Sequence, residues 1–175
     1  GQLGQAGENF RCDWSPKGNG IAFVSTRNTA ADATVPNEEI YVMNPAGSDG
    51  VRLTNVLGSD ANPAWSPKGD RIAFESNRDG RPEIYVMDAD GSNQERLTNF
   101  DAEPTPDAVL VTKPTWSPKG DRIAFHRRVG LPGERGHTEV YTMNADGTDV
   151  RRITYTPTPG YSGFPSWGKW SARRP

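Results

Sequence analysis

The sequence predicts an all-β fold, a β-propeller of four-stranded antiparallel blades. A motif repeated at constant spacing, short apolar runs bounded by turn residues, and a composition diluted by turns predict it. Self-similarity is the first thing to seek, because a missed repeat miscalls the whole fold. Trp14-Ser-Pro-Lys-Gly-Asn-Gly-Ile-Ala-Phe23, Trp65-Ser-Pro-Lys-Gly-Asp-Arg-Ile-Ala-Phe74 and Trp116-Ser-Pro-Lys-Gly-Asp-Arg-Ile-Ala-Phe125 align directly, and the last two are identical. A fourth start, Phe164-Pro-Ser-Trp167, keeps the Trp spacing of 51 but continues as Gly168-Lys169-Trp170. Each full copy adds Glu39-Ile-Tyr-Val-Met43, Glu83-Ile-Tyr-Val-Met87 or Glu139-Val-Tyr-Thr-Met143. It then closes on Arg52-Leu-Thr54, Arg96-Leu-Thr98 or Arg152-Ile-Thr154.

Strand A ends near the Trp, B is Ile-Ala-Phe, C is Glu-Ile-Tyr-Val-Met and D is Arg-Leu-Thr. The runs are β-branched and aromatic on both alternating faces, as a sheet covered on both sides requires. Ser66-Pro67-Lys68-Gly69 reads as a tight A–B turn, with Pro presetting φ and Gly in the last place. Asp88-Ala89-Asp90-Gly91 and Asn144-Ala145-Asp146-Gly147 read as C–D hairpins whose Gly takes the left-handed position. One meander cannot bury both its faces, and radial stacking of copies can.

The expected organisation is a single domain, 1–175, with blades at about 10–55, 62–99 and 113–154 and an extra strand at 163–167. Trp14, Trp65, Trp116 and Trp167 are expected as structural core beside the inter-blade surface, so Trp65→Ala and Trp116→Ala should each cost roughly 3–5 kcal/mol. Three blades cannot close a ring, since propellers have four to eight. Self-association as a homodimer, three blades plus three, would complete six, with the extra strand pairing across the junction. The alternatives are a piece of a longer propeller chain, or a seven- or eight-bladed ring or larger oligomer.

The composition bounds function. The 175 residues carry a net charge of −2 with scattered Lys and Arg, which excludes the basic footprint of a nucleic-acid binder. Mean hydropathy is −0.76, and no apolar stretch approaches the roughly 20 residues of a membrane span. No leader pattern stands at Gly1–Phe10, and the single Cys, Cys12, allows no internal disulfide.

The repeat resembles that of TolB-like β-propellers, across about Asn9 to Trp167. Lys17, Lys68 and Lys119 stand where that family commonly has Asp. The resemblance implies a propeller that binds protein or peptide partners, and a periplasmic or secreted setting with the cytoplasm left open. The alternative it admits is a peptidase-gating or carbohydrate-active lyase-like propeller with catalytic residues lacking or elsewhere. The metal-holding His cluster of such lyases has no counterpart here.

Loop lengths point to a working face. Trp-to-Phe and Tyr-to-Thr distances are constant, whereas Phe to Glu runs 16, 9 and 14 steps and Thr to the next Trp runs 11, 18 and 13. All the variation falls on the B–C and D–A connections, which share one face of a blade, and variable loops on a fixed scaffold carry binding. The candidate partner-binding residues there are Arg27, Arg78, Asp79, His126, Arg127, Arg128 and His137, with Glu103 and Asp107 beside them. Arg127-Arg128 suits a carboxylate. Read as solvated charges, Arg78→Ala and Arg127→Ala should stay within about 0.5 kcal/mol. Tyr155, Tyr161 and Phe164 could form an apolar rim or pack on the neighbouring blade.

Catalysis is not expected. No Gly-x-Ser-x-Gly elbow occurs, and two His 11 residues apart do not imply zinc. Asp88-x-Asp90-Gly91-Ser92 lacks the closing Glu of a calcium loop. No cofactor and no metal are expected.

Overall fold

The strands of the computed structural model, which describes residues 7–27, 37–100, 111–129 and 137–155, fall where the apolar runs and turn signals alternate. Blade 1 contains β1 (Asn9–Trp14), β2 (Ile21–Ser25), β3 (Glu39–Met43) and β4 (Val51–Arg52). Blade 2 contains β5 (Asp60–Trp65), β6 (Arg71–Ser76), β7 (Glu83–Asp88) and β8 (Glu95–Arg96). Blade 3 contains β9 (Val111–Trp116), β10 (Arg122–Val129), β11 (His137–Asn144) and β12 (Arg151–Arg152). Each blade is a four-stranded meander in chain order, antiparallel throughout, and no described residue is helical.

The turns follow from their residues. Gly18, Gly69 and Gly120 donate N–H bonds to Ser15, Ser66 and Ser117 at 2.8, 2.8 and 2.9 Å, each Gly with positive φ. The A–B and C–D turns lie side by side, since Ala89 N–H meets the Asp70 carbonyl at 2.9 Å and Ala145 N–H the Asp121 carbonyl at 3.0 Å. The opposite end joins B–C to D–A, where the Ser59 N–H donates to Asn77 Oδ1 at 2.6 Å.

Two apolar cores separate the blades. Ala22, Ile40, Val42 and Leu53 of blade 1 meet Trp65, Ile72, Phe74, Tyr85 and Met87 of blade 2. Ala73, Ile84, Val86 and Leu97 of blade 2 meet Trp116, Ile123, Phe125, Tyr141 and Met143 of blade 3. The Trp therefore packs on the preceding blade, and Trp116 Nε1–H also donates to the Ala64 carbonyl at 3.1 Å. Trp116 is buried, whereas Trp14 is 55% exposed. This corrects the expectation of four core tryptophans: blade 1 has no described blade before it to receive its ring. Trp167 and the strand expected at 163–167 lie outside the described residues.

Strand D is shorter than Arg-Leu-Thr suggests, because the Thr leaves the ladder to bond with its side chain. Thr54 Oγ1 accepts the Ile40 N–H at 2.9 Å and donates to Glu39 Oε2 at 2.5 Å. Arg52 closes the unit on Glu39 Oε1 at 2.6 Å and on the Thr54 carbonyl at 2.7 Å. Glu83, Arg96 and Thr98 repeat the arrangement, as do Glu139, Arg152 and Thr154. The three carboxylates are buried at the head of strand C, and each keeps its partners, as a buried charge must. Burial pushes the Glu39 carboxyl above its ordinary range, and the Thr54 and Arg52 bonds oppose that.

Candidate binding face at the bulged inner strands

Strands β1, β5 and β9 form the inner edge and contact one another in turn. Each carries a bulge at the same repeat position. Arg11-Cys12 opposes Phe23, Asn62-Pro63 opposes Phe74, and Lys113-Pro114 opposes Phe125, two residues facing one. The first member is left-handed in every copy, with φ of 52° at Arg11, 51° at Asn62 and 53° at Lys113. A residue lifted out of the ladder has no ladder bond to give, which is why Pro63 and Pro114 fit here. Non-glycine residues held at positive φ cost free energy and concentrate at functional sites.

All six bulge residues line one open depression of about 300 Å³. Arg11 faces the end of a variable B–C connection, its guanidinium 3.7 Å from Glu38 Oε2. Ser59 Oγ donates to the same Glu38 oxygen at 2.5 Å, and the Glu38 carbonyl accepts the Asp60 N–H at 2.8 Å, tying blade 1 to blade 2. Below lies Glu75 of β6, which accepts from Asn62 Nδ2 at 2.5 Å and from the Lys113 backbone. The bulge of blade 3 is thus turned toward a carboxylate of blade 2.

Burial, foremost, raises the Glu75 carboxyl above its ordinary range, with Glu38 adding to the rise and the Asn62 bond and Arg11 opposing it. A carboxyl raised on folding contributes stability that is fully present below its unfolded value and lost as pH rises through the folded one. Glu75→Gln keeps an oxygen acceptor without the buried charge. Urea titrations should find it more stable than wild type near neutrality, with the difference shrinking as pH falls and closed by about pH 4.3, the free-glutamate range. Equal gaps at both pH values would show that Glu75 is solvated.

The loop-face residues named from the sequence take other places. Arg78 is not a solvated charge. Its Nη2 contacts both oxygens of Asp60 at 3.1 Å, Nη1 donates to Gln94 at 2.7 Å and Nε to Ser76 Oγ at 2.8 Å. The guanidinium stacks 4.8 Å from the Tyr85 ring centroid, and Asp60 is fully buried. Arg27 repeats this over Tyr41 at 4.7 Å, with Asn9 in place of the aspartate. Arg127 arrives from the strand itself, buried, 3.9 Å over Phe100. These arginines cap the aromatic stack of each blade, because a flat cation covers ring faces that a loop leaves open.

Asp79 stays half exposed, bonded by the Tyr85 hydroxyl and 3.5 Å from Arg96. Burial and Asp79 raise the Tyr85 hydroxyl well above its ordinary range. His126 is buried in β10 at the position of Glu75, Arg128 is half-buried, and His137 Nε2 stands 3.2 Å from Glu139 Oε1. The seven therefore do not converge on one point. Tyr155 is 74% exposed, with Arg152 4.6 Å over its ring. Glu103, Asp107, Tyr161 and Phe164 lie outside the described residues. Sequence reading missed Arg11, Asn62 and Lys113, although each stands three residues before a repeated Trp, a polar residue followed twice by Pro. Among the described residues, no group of three or more His, Cys, Asp or Glu is placed to hold a metal ion.

Comparison with known proteins places the repeat. The family described as TolB beta propeller domain matches residues 4–130. A protein TolB homolog of Chlorobaculum tepidum is 38% identical over 137 residues, 78% of this chain and 27% of its own. The uncharacterized peptidase YuxL of Bacillus subtilis is 36% identical over 59 residues, 34% of this chain and 8% of that protein. The solved structure of putative TolB from Agrobacterium tumefaciens superposes with a TM-score of 0.66 at 27% identity, over 83% of this chain and 48% of that one. The chain thus spans about a quarter of the Chlorobaculum relative and about half of the Agrobacterium one. With the family matched over most of its length, the chain belongs to the TolB β-propeller domain family.

Proposed function

We propose that the chain is a non-catalytic binding module and that a protein or peptide partner docks at the bulged inner edge, on the side of the variable connections. One observation carries the reading: three inner strands, each strained at the same repeat position, give all six bulge residues to one open depression. Arg11 and Lys113 flank it, so a partner with an acidic or carboxylate-bearing segment fits best. Asp79 and Arg128 are candidates for peripheral contacts. The TolB relatives support binding over the gating or lyase-like alternative, and support a periplasmic or secreted setting. We further infer that the blades work inside a closed ring, which buries both faces of every blade.

Peptides selected from a random display library against the chain test the reading. Binders should be acidic, and Arg11→Glu with Lys113→Glu should weaken them by about tenfold or more, ~1.4 kcal/mol. Peptides that bind equally well to the doubly reversed chain would place the binding surface elsewhere.

A further inference from the structure

The described blades present two uncovered faces, and these are the two halves of a junction the molecule already makes twice. Call the side of a blade that carries its Trp the leading face and the other the trailing face. Where blade 2 meets blade 1, the Trp65 N–H donates to Asp13 Oδ2 at 2.7 Å and Lys17 Nζ donates to the Gly69 carbonyl at 2.9 Å. A Cβ on Gly69 would lie 3.2 Å from the Lys17 side chain, and one on Gly91 would lie 3.0 Å from the Leu53 carbonyl. Where blade 3 meets blade 2, a Cβ on Gly120 would lie 3.4 Å from Pro67, and one on Gly147 would lie 2.7 Å from the Leu97 carbonyl.

At the leading face of blade 1 the same positions are open. Gly18 and Gly47 have nothing within 4 Å of a Cβ, and Trp14 is 55% exposed. At the trailing face of blade 3 the counterpart of Leu97 is Ile153. Leu97 is 9% exposed under Gly147, whereas Ile153 is 53% exposed. The two faces therefore lack each other's contacts position by position: a Trp without its bed, two turn glycines without their neighbours, and an apolar side chain without its glycine.

We propose that the occupant is a second copy of this chain, docked head to tail. The leading face of blade 1 of one copy takes the trailing face of blade 3 of the other, and the reverse junction closes the ring. Gly47 then seats on Ile153, Gly18 on the Lys119 turn, and Trp14 beside Arg122, as Trp116 sits beside Arg71. Two such junctions close three blades on three, a six-bladed ring within the range propellers adopt. The proposal rests on the closed-ring reading and names what closes it.

Light scattering on a size-exclusion column should give about twice the 19.1 kDa chain mass, and Ile153→Arg should return it to a single chain. A Gly47→Cys/Ile153→Cys chain in a Cys12→Ser background should form a covalent dimer on a non-reducing gel. Leu53→Cys/Gly91→Cys in the same background, the equivalent pair within one chain, should close intramolecularly and serves as the control. A wild-type chain that is monomeric at its highest soluble concentration would overturn the proposal. So would a dimer that fails to cross-link at 47 and 153 while the control pair closes. Acidic peptides that still bind a monomeric chain would leave the binding reading standing, whereas a cross-linked dimer that selects none would leave the docking standing without it.

Discussion

Replacing Trp116 with Ala should destabilise the chain by about 3–5 kcal/mol, the cost of truncating a buried aromatic. The ring is 7% exposed and belongs to the core between blades 2 and 3. Its loss also leaves the Ala64 carbonyl without the indole bond. Trp14→Ala tests the explanation, because the same motif residue lies on an uncovered face. In a monomeric chain it should shift stability by no more than about 0.5 kcal/mol, and in the head-to-tail dimer its cost should depend on protein concentration. Thermal melts of both variants at two concentrations decide it. Equal losses at every concentration would show that Trp14 is buried within its own chain.

Arg78→Ala should cost about 3–5 kcal/mol, several times what a surface arginine is worth, because it strands a buried carboxylate. Asp60 is fully buried, both its carboxylate oxygens meet Arg78, and the guanidinium also covers Phe74 and Tyr85. Asp60→Asn in the Arg78→Ala background removes the stranded charge and should recover much of the loss. Arg27→Ala should cost less, because Asn9 beneath it is neutral. Equal costs at 27 and 78 in chemical denaturation would mean that ring stacking, and not the ion pair, holds these residues.

The blades were legible because their instructions are local. Pro presets one backbone angle in each Ser-Pro-Lys-Gly turn, Gly accepts another, and β-branched residues alternate between them. The Arg78 pairing was not legible, because Asp60 lies 18 residues away and meets it only when the B–C connection folds onto the D–A connection. Arg-Leu-Thr was read as strand, although its Arg and Thr serve Glu39 and its equivalents through side chains. The bulges hid for a subtler reason. A Pro inside an apolar run argues against a strand unless a bulge removes the ladder bond, and nothing within Asn62-Pro63 states which applies. Only comparison across copies reveals that Arg11, Asn62 and Lys113 hold one position.

The two-residue outer strands bear on solubility. A sheet protein is vulnerable wherever an edge offers a long row of unused N–H and carbonyl groups to another chain. At the outer rim of these blades that row is two residues long, Val51–Arg52, Glu95–Arg96 and Arg151–Arg152, and each pair includes a guanidinium. The Thr that follows turns its hydroxyl back into its own blade. A stray strand meeting the rim finds too short a template and guanidiniums already paired within their own blades, so the perimeter resists the lateral pairing that turns β-rich chains into aggregates.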